Sequence, residues 1–169
     1  MAQIRIGVIS DTHGFLRPQA VKALKGVNLI IHAGDVGSPE ILEILGKIAP
    51  VHAVRGNTDR GEWARALPLT EVVEVGEVQI YVLHDLHTLD LEPKATGFAA
   101  VIFGHSHRPH LERKNGVLFL NPGSAGPRRF TLPVCLAYLK VQGDSLEAEF
   151  IPLDIQTSKT ALPYGFLDY

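Results

Sequence analysis

The sequence predicts an α/β fold of two packed sheets with helices on the outside. Three observations carry that reading. The first sixty residues alternate short apolar runs with amphipathic stretches, the order β-α-β-α-β expected of parallel strands joined by right-handed crossovers. The later residues hold three pairs of apolar runs split by Gly76-Glu77, Asn115-Gly116 and Gly143-Asp144, which are hairpin signals. A chain of 169 residues, 46% hydrophobic and 20% charged, is long enough for one domain that hides about 70% of its unfolded surface.

Taken in order, Ile4, Ile6 and Val8 with their neighbours predict a first strand ending at Ser10. Pro18 to Lys25 predicts a short helix, because proline suits the first helical position. Asn28 to Ala33 is a continuous apolar run, the signature of a strand buried on both faces. Ser38-Pro39 reads as an N-cap followed by a first helical residue. Ile41, Leu42, Leu45 and Ile48 then fall on one helical stripe. Val51 to Val54 is a third strand. Glu71–Val75 pairs with Val78–Leu83, Ala99–Phe103 is another buried strand, and His110–Arg113 pairs with Val117–Leu120. Val134–Val141 and Ser145–Ile151 form the last hairpin. Residues 1–156 read as one domain and residues 157–169 as a C-terminal tail without period. The tail's Leu162, Tyr164, Phe166, Leu167 and Tyr169 would be sticky in water, so it is expected to dock on its own domain or on a second subunit.

Composition excludes several functions. Sixteen basic residues against eighteen acidic ones leave a formal charge of −2, which is not the electrostatic footprint of a general nucleic-acid binder. No apolar run reaches the roughly 18–20 residues of a membrane span. The start shows no secretory leader, so the cytoplasm is the expected compartment. The single cysteine, Cys135, rules out an internal disulfide and a thiolate metal cage. No Walker-type loop is present, which removes a P-loop nucleotidase.

Eight histidines are the unusual number, and their positions are informative. Polar residues follow five apolar runs in turn: Asp11-Thr12-His13-Gly14, Gly34-Asp35, Gly56-Asn57-Thr58-Asp59, His84, and Gly104-His105-Ser106-His107. Strand ends in an α/β sheet converge on one crevice. Singly, such an Asp is a turn or cap residue, and Gly56-Asn57 is a turn signal. Together, two Asp, one Asn and four His form a donor set of oxygens and imidazoles that suits divalent Mn²⁺, Fe²⁺, Zn²⁺ or Ni²⁺. Seven donors exceed the needs of one ion with open positions, and two ions sharing a carboxylate fit better. Such a pocket is net positive and wants an anionic substrate, phosphate above all.

At these residues the chain resembles the calcineurin-like metallophosphoesterases. Its short length, Ser10-Asp11-Thr12-His13-Gly14 and Asn121-Pro122-Gly123-Ser124 are similar to the small bacterial and archaeal YfcE-like phosphodiesterase branch. The resemblance spans residues 4 to 151. It implies a four-layer αββα sandwich of two mixed β-sheets flanked by helices, and a binuclear centre. By that resemblance Asp11, His13, Asp35 and His107 hold one ion, while the bridging Asp35 with Asn57, His84 and His105 holds the other. Manganese is the expected metal, with Ni²⁺, Fe²⁺, Zn²⁺ and Mg²⁺ as alternatives. The implied reaction is hydrolysis of a small phosphate diester by an activated hydroxide. Asp35, Asn57 and His84 are the implied catalytic residues, and Asn57, Thr58 and Arg128 the implied substrate contacts. Two departures stand out. Thr58 occupies a place where many members have a histidine able to protonate the leaving group, so activity is expected to depend steeply on that group. His84-Asp85-Leu86-His87 replaces a His-Gly-His pattern, which displaces His87 by one position.

Other residues read as structural. His32 is either an orienting partner of a ligand or a packed strand-end residue. His52 lies within a strand, and His110 is expected to be solvated. Cys135 reads as a buried thiol with no basic neighbour to activate it. Asp59 is expected to fix its loop and a neighbouring ligand. Two rival functions remain: a phosphomonoesterase or nucleotide hydrolase, and a protein-binding scaffold like the retromer subunit Vps29, whose fold is also similar. A homo-oligomer is compatible with all three.

Overall fold

The computed structural model describes residues 2–153, so the tail and the boundary expected at residue 156 lie outside the described residues. The chain runs β1 (Ile4–Ile9), α1 (Pro18–Leu24), β2 (Leu29–His32), α2 (Pro39–Gly46), β3 (Val51–Ala53), α3 (Glu62–Arg65), β4 (Thr70–Val75), β5 (Val78–Leu83), a 3₁₀ turn (Leu86–Thr88), β6 (Ala100–Ile102), β7 (His110–Lys114), β8 (Val117–Asn121), β9 (Cys135–Gln142) and β10 (Ser145–Pro152). Among the described residues ten strands make two five-stranded sheets, ordered β10-β9-β1-β2-β3 and β4-β5-β6-β8-β7. Both are mixed, in agreement with the expected class.

In the first sheet β1, β2 and β3 are parallel, as the β-α-β-α-β order requires. The β9–β10 hairpin joins that sheet antiparallel to β1, so the last of the described strands complete the sheet that β1 began. The second sheet is parallel at its centre, β5-β6-β8, and antiparallel at both edges. Hairpin signals mark only the edges. The parallel pairs depend on crossovers, which carry no local turn chemistry. Asn115 and Gly116, at φ 53° and 81°, make the tight left-handed turn foreseen for β7–β8.

Strand alternation distributes the core over three interfaces. Ile6, Val8 and Ile31 meet Ile80, Val82, Ile102 and Leu120 between the sheets. The opposite face of the first sheet, with Ile9, Ile30 and Leu136, packs on Leu24 of α1 and Ile41 and Leu45 of α2. Gly7 sits where α1 crosses, and a Cβ there would run into Leu24. Ile48, read as part of the α2 stripe, packs on the same cluster from beyond the helix end. On the outer face of the second sheet, Tyr81, Leu83, Val101 and Phe103 are covered by Leu86, Leu89, Leu91 and Phe98. That outer layer is therefore an irregular segment with one 3₁₀ turn. Neither that turn nor the one-turn α3 has enough period to be seen in sequence. Among the described residues no helix is long and apolar enough to cross a membrane.

Candidate metal centre

All five predicted strand ends deliver their side chains to one edge of the sandwich. The loop after β1 lies along the loop after β2: the Asp11, His13 and Gly14 N–H groups donate to the carbonyls of Gly34, Asp35 and Val36 at 3.0, 2.9 and 2.8 Å. These bonds hold Asp11 and His13 against Asp35. Glycines permit close approach at two further places. A Cβ at Gly56 would strike the Asp35 carboxylate and backbone, and one at Gly104 would strike Ser10 and Asp11.

The backbone here is unusual. Seven non-glycine residues among those described have positive φ, and five of them are Asp11 (57°), His13 (47°), Asp35 (54°), His105 (74°) and His107 (62°). Left-handed backbone is costly for most L-residues, though least so for Asn, Asp and His, and such positions cluster at functional sites.

The donor atoms converge in two sets. His13 Nε2 lies 3.1 Å from His107 Nε2, and Asp11 Oδ1 lies 3.4 Å from His107 Nε2 and 3.8 Å from His13 Nε2. On the other side, Asn57 Oδ1 is 3.0 Å from His84 Nε2 and 3.1 Å from His105 Nδ1. Asp35 Oδ2 stands between the sets, 3.7 Å from His13 Nε2 and 3.3 Å from His84 Nε2. Asp11, His13 and His107 form one group able to hold an ion, and Asp11, Asp35 and His84 another, each with ligand atoms within 4.8 Å of one another. Two donors bound about 2.1 Å from one ion lie about 3.0 Å apart at octahedral angles and about 3.4 Å at tetrahedral ones. The shorter spacings match those values.

The chemistry of the contacts also fits cations. Asp11 Oδ2 accepts from Ser10 Oγ and the His105 N–H, at 2.8 and 3.2 Å. Its other oxygen, Oδ1, is buried without a hydrogen-bond partner among the described residues, a cost that a bound ion would remove. His84 Nδ1 is 2.7 Å from the Ala33 carbonyl, so that nitrogen carries the proton of a neutral ring. Its Nε2 lone pair then faces two oxygens, an arrangement that needs a proton or a cation between them. Among the described residues, the ion pairs of Asp11 and Asp35 are all with histidines. Burial disfavours ionisation of Asp35, but hydrogen bonds from His84 and the Thr58 backbone outweigh it and hold the carboxyl well below its ordinary range. Burial likewise lowers the His84 pKa, yet bonding to Asp35 and the charge of Asp11 leave it raised.

Residues behind the donors hold them in place. Asp59 accepts from the N–H groups of Val36, Gly37 and Gly56 at 3.2, 2.9 and 2.9 Å, tying the Asp35 loop to the Asn57 loop as expected. Asn121 Nδ2 donates to Gly104 O and Ser106 Oγ at 3.0 and 3.1 Å, and Ser124 Oγ donates to Asp11 O at 3.1 Å. The Asn121–Ser124 segment therefore braces two ligand loops. Spacing and composition do not reveal the bracing roles of Ser10 and Asn121; only the resemblance, which rests partly on their segments, sets the Asn121 segment near the site. Of the implied substrate contacts, Thr58 donates its backbone N–H to Asp35 Oδ1 at 2.9 Å. Arg128 is exposed on the loop after Gly126, and that glycine packs on the Asp11 and Thr12 carbonyls.

His52 pairs with Glu71 at 2.8 Å, well within a structural role. His110 is half-buried, 3.0 Å from Glu112 and with its ring 6.1 Å from that of Phe103. It is less solvated than its place beside Pro109 suggested, because its ring lies near that of Phe103. Cys135 is buried, and that burial pushes its thiol pKa up.

His32 is fully buried behind the centre. Its Nδ1 accepts the Gly34 N–H at 3.1 Å, so its Nε2–H donates to Thr12 Oγ1 at 3.0 Å, which passes its own proton toward Val36 O at 2.7 Å. The ring is satisfied only when neutral. Burial lowers its pKa from 6.5 to about 4. As pH falls from 6.5 toward 4, the unfolded chain takes up a proton that the folded one does not, and stability is lost. A shift of that size corresponds to about 3 kcal/mol. In metal-free protein, His32→Gln should lose about that much less stability than the wild type between pH 7 and 4, read by denaturant unfolding. Equal losses would refute this role.

The comparison with known proteins follows the same residues. The calcineurin-like phosphoesterase superfamily domain matches residues 4–144. The chain belongs to that superfamily. A probable metallophosphoesterase of Methanocaldococcus jannaschii is 39% identical over 166 residues, covering 88% of this chain and 81% of the relative. A second protein of that organism, named a phosphodiesterase, is 29% identical over 71% of this chain and 83% of its own length. Among solved structures, Vps29 of Chaetomium thermophilum superposes with a TM-score of 0.72 at 22% identity, over 88% of this chain and 96% of that one, a likeness of fold. Membership supports a metal-dependent phosphoesterase, and the two donor groups are the metallophosphoesterase's candidate ligands for divalent ions.

Proposed function

We propose that this metallophosphoesterase is a phosphodiesterase working through two divalent ions. Asp11, His13, Asp35 and His107 would hold one, and Asp35, Asn57, His84 and His105 the other. The observation that carries the diester reading is the pair of cavities flanking the Asn57–His84–His105 end. One, of about 670 Å³, is lined by Arg55, Asn57, Tyr81, His84 and Asp85 among others. The other, of about 230 Å³, is lined by Asp85, His87, Phe103 and His105 among others. A diester carries two substituents and uses both spaces, whereas a monoester fills one. The relative named a phosphodiesterase supports the same choice.

When bound, the ions supply Lewis acidity, lowering the pKa of water and neutralising charge on the phosphoryl oxygens. Asp35, held ionised by its hydrogen bonds, sets the distance between the two donor sets. His84 is oriented by its Nδ1–H bond to Ala33. Asn57 contributes a neutral oxygen and borders the larger cavity, and Thr58 is assigned to the phosphoryl group. Arg128 is assigned to a substrate anion, Mn²⁺ is the favoured metal, and the cytoplasm the place of action. Association of the chain with itself is part of the same proposal.

The test is a paired assay of bis(4-nitrophenyl) phosphate and 4-nitrophenyl phosphate with Mn²⁺, Ni²⁺, Fe²⁺, Zn²⁺ and Mg²⁺ in turn. The diester should have at least about tenfold higher kcat/KM, a preference of roughly 1.4 kcal/mol. A preference for the monoester would assign a phosphomonoesterase. No hydrolysis by metal-loaded protein would favour a binding scaffold.

A further inference from the structure

A phosphate diester with an ordinary alcohol as leaving group needs a proton on the departing oxygen. The ligand histidines are committed elsewhere, because His13, His84, His105 and His107 each turn one ring nitrogen toward the donor sets, where a bound ion would hold it. His32 is buried and neutral, and the Thr58 hydroxyl is too weak an acid. Two imidazoles lining the smaller cavity, His87 and His110, belong to neither group, and His110 Nε2 lies 3.0 Å from Glu112. His87 is exposed, and its Nδ1 lies 3.1 Å from Asp85 Oδ1. The same carboxylate oxygen accepts the His87 backbone N–H at 3.0 Å. Its other oxygen lies 3.9 Å from His105 Nε2, and His105 Nδ1 faces Asn57. Asp85 thus stands between a ligand histidine and a free one, and it borders both cavities.

We propose that His87 is the proton donor to the leaving oxygen, and that Asp85 is its positioning residue. The leaving group enters the 230 Å³ cavity, whose walls include Leu86, Phe103 and His105. Asp85 keeps the Nδ1–H in place, so the exchangeable proton sits on Nε2. As the oxygen of a water that has given one proton to solvent joins phosphorus, the phosphorus–oxygen bond to the leaving group breaks. Its electron pair stays on the leaving oxygen, which takes the Nε2 proton and departs as an alcohol. The neutral ring, with Nδ1–H still on Asp85, is reprotonated from solvent. The charged or titratable groups facing His87 are Asp85 on its own turn and His105, Arg108 and His110 across the cavity. The steep leaving-group dependence suggested by Thr58 alone is thereby reduced.

This proposal rests on the phosphodiesterase reading. Its test compares wild type, His87→Ala and Asp85→Asn on bis(4-nitrophenyl) phosphate, whose leaving group needs no proton, and on bis(2-hydroxyethyl) phosphate, whose leaving group does. His87→Ala should lose about 10²-fold or more on the alkyl ester and less than about threefold on the aryl ester. Added imidazole should restore part of the alkyl rate, and the wild-type alkyl rate should fall at high pH where the variant's does not. Independently of activity, ¹⁵N spectra of Zn²⁺-loaded protein should show neutral His87 protonated on Nδ1 in the wild type and shifted toward Nε2 in Asp85→Asn. Equal losses on both esters, or none on either, would overturn the assignment while leaving the phosphodiesterase reading intact. An unchanged tautomer in Asp85→Asn would overturn the positioning role. If loaded wild type hydrolyses neither ester, the proposal fails together with the reading beneath it.

Discussion

Removing divalent ions with a chelator is expected to abolish hydrolysis, and Mn²⁺ is expected to restore it as two ions bind per chain. Stripped protein holds Asp11 and Asp35 buried beside histidine nitrogens that face one another. No side chain in either donor set can polarise a phosphoryl oxygen as a cation does. Loss of the ions should also appear as a fall in stability. Each site filled at a hundred times its dissociation constant contributes about 2.7 kcal/mol, so the loaded protein should melt well above the stripped one. Elemental analysis, activity and thermal unfolding measured on the same samples decide the matter. Full activity without metal, or saturation at a single ion under excess Mn²⁺, would sink the two-ion reading.

Asp35→Asn should be among the most damaging single changes, lowering kcat/KM by about 10³-fold or more. The substitution keeps the shape, and asparagine tolerates the left-handed backbone at this position. Its side-chain oxygen can still accept the Thr58 N–H. What disappears is one negative charge shared between the two donor sets. A unit charge pair at about 4 Å is worth about 4 kcal/mol at an effective dielectric constant of 20, close to a thousandfold in affinity. Metal titration should therefore show both sites weakened. His52→Ala, which breaks a pair with Glu71 at the edge of the first sheet, should keep the rate within about threefold. Similar activity in the two variants would mean the bridging assignment is wrong.

Much of the molecule was legible before its structure. The apolar runs of β1, β2, β5 and β6 stand out because both faces of those strands are buried. Asn115-Gly116 announces its hairpin because few other residue pairs tolerate its backbone. The donors were legible too, since each follows an apolar run. The parallel centre of the second sheet was not, nor the irregular layer over it, because crossovers and one-turn segments leave no periodicity. Ser10, Asn121 and Asp85 were invisible as supports. Asn121 acts on Gly104 and Ser106, Asp85 on His105, and Ser10, besides its neighbour Asp11, on Gly34, across separations in sequence that no local pattern bridges.

The sequence by itself determined the chemical types of the donors, their order along the chain and the strands that carry them, because those depend on composition and local period. Only the tertiary structure decided which atom of each donor faces which neighbour. His13 and His107 are 94 positions apart and meet at 3.1 Å. That contact depends on strand register across the first sheet, on the packing of one sheet against the other, and on left-handed turns at Asp11, His13, Asp35, His105 and His107. A metal ion is sensitive to displacements of a few tenths of an ångström in its ligands, and distances of that kind are set by long-range packing, which a one-dimensional pattern of residue types does not encode.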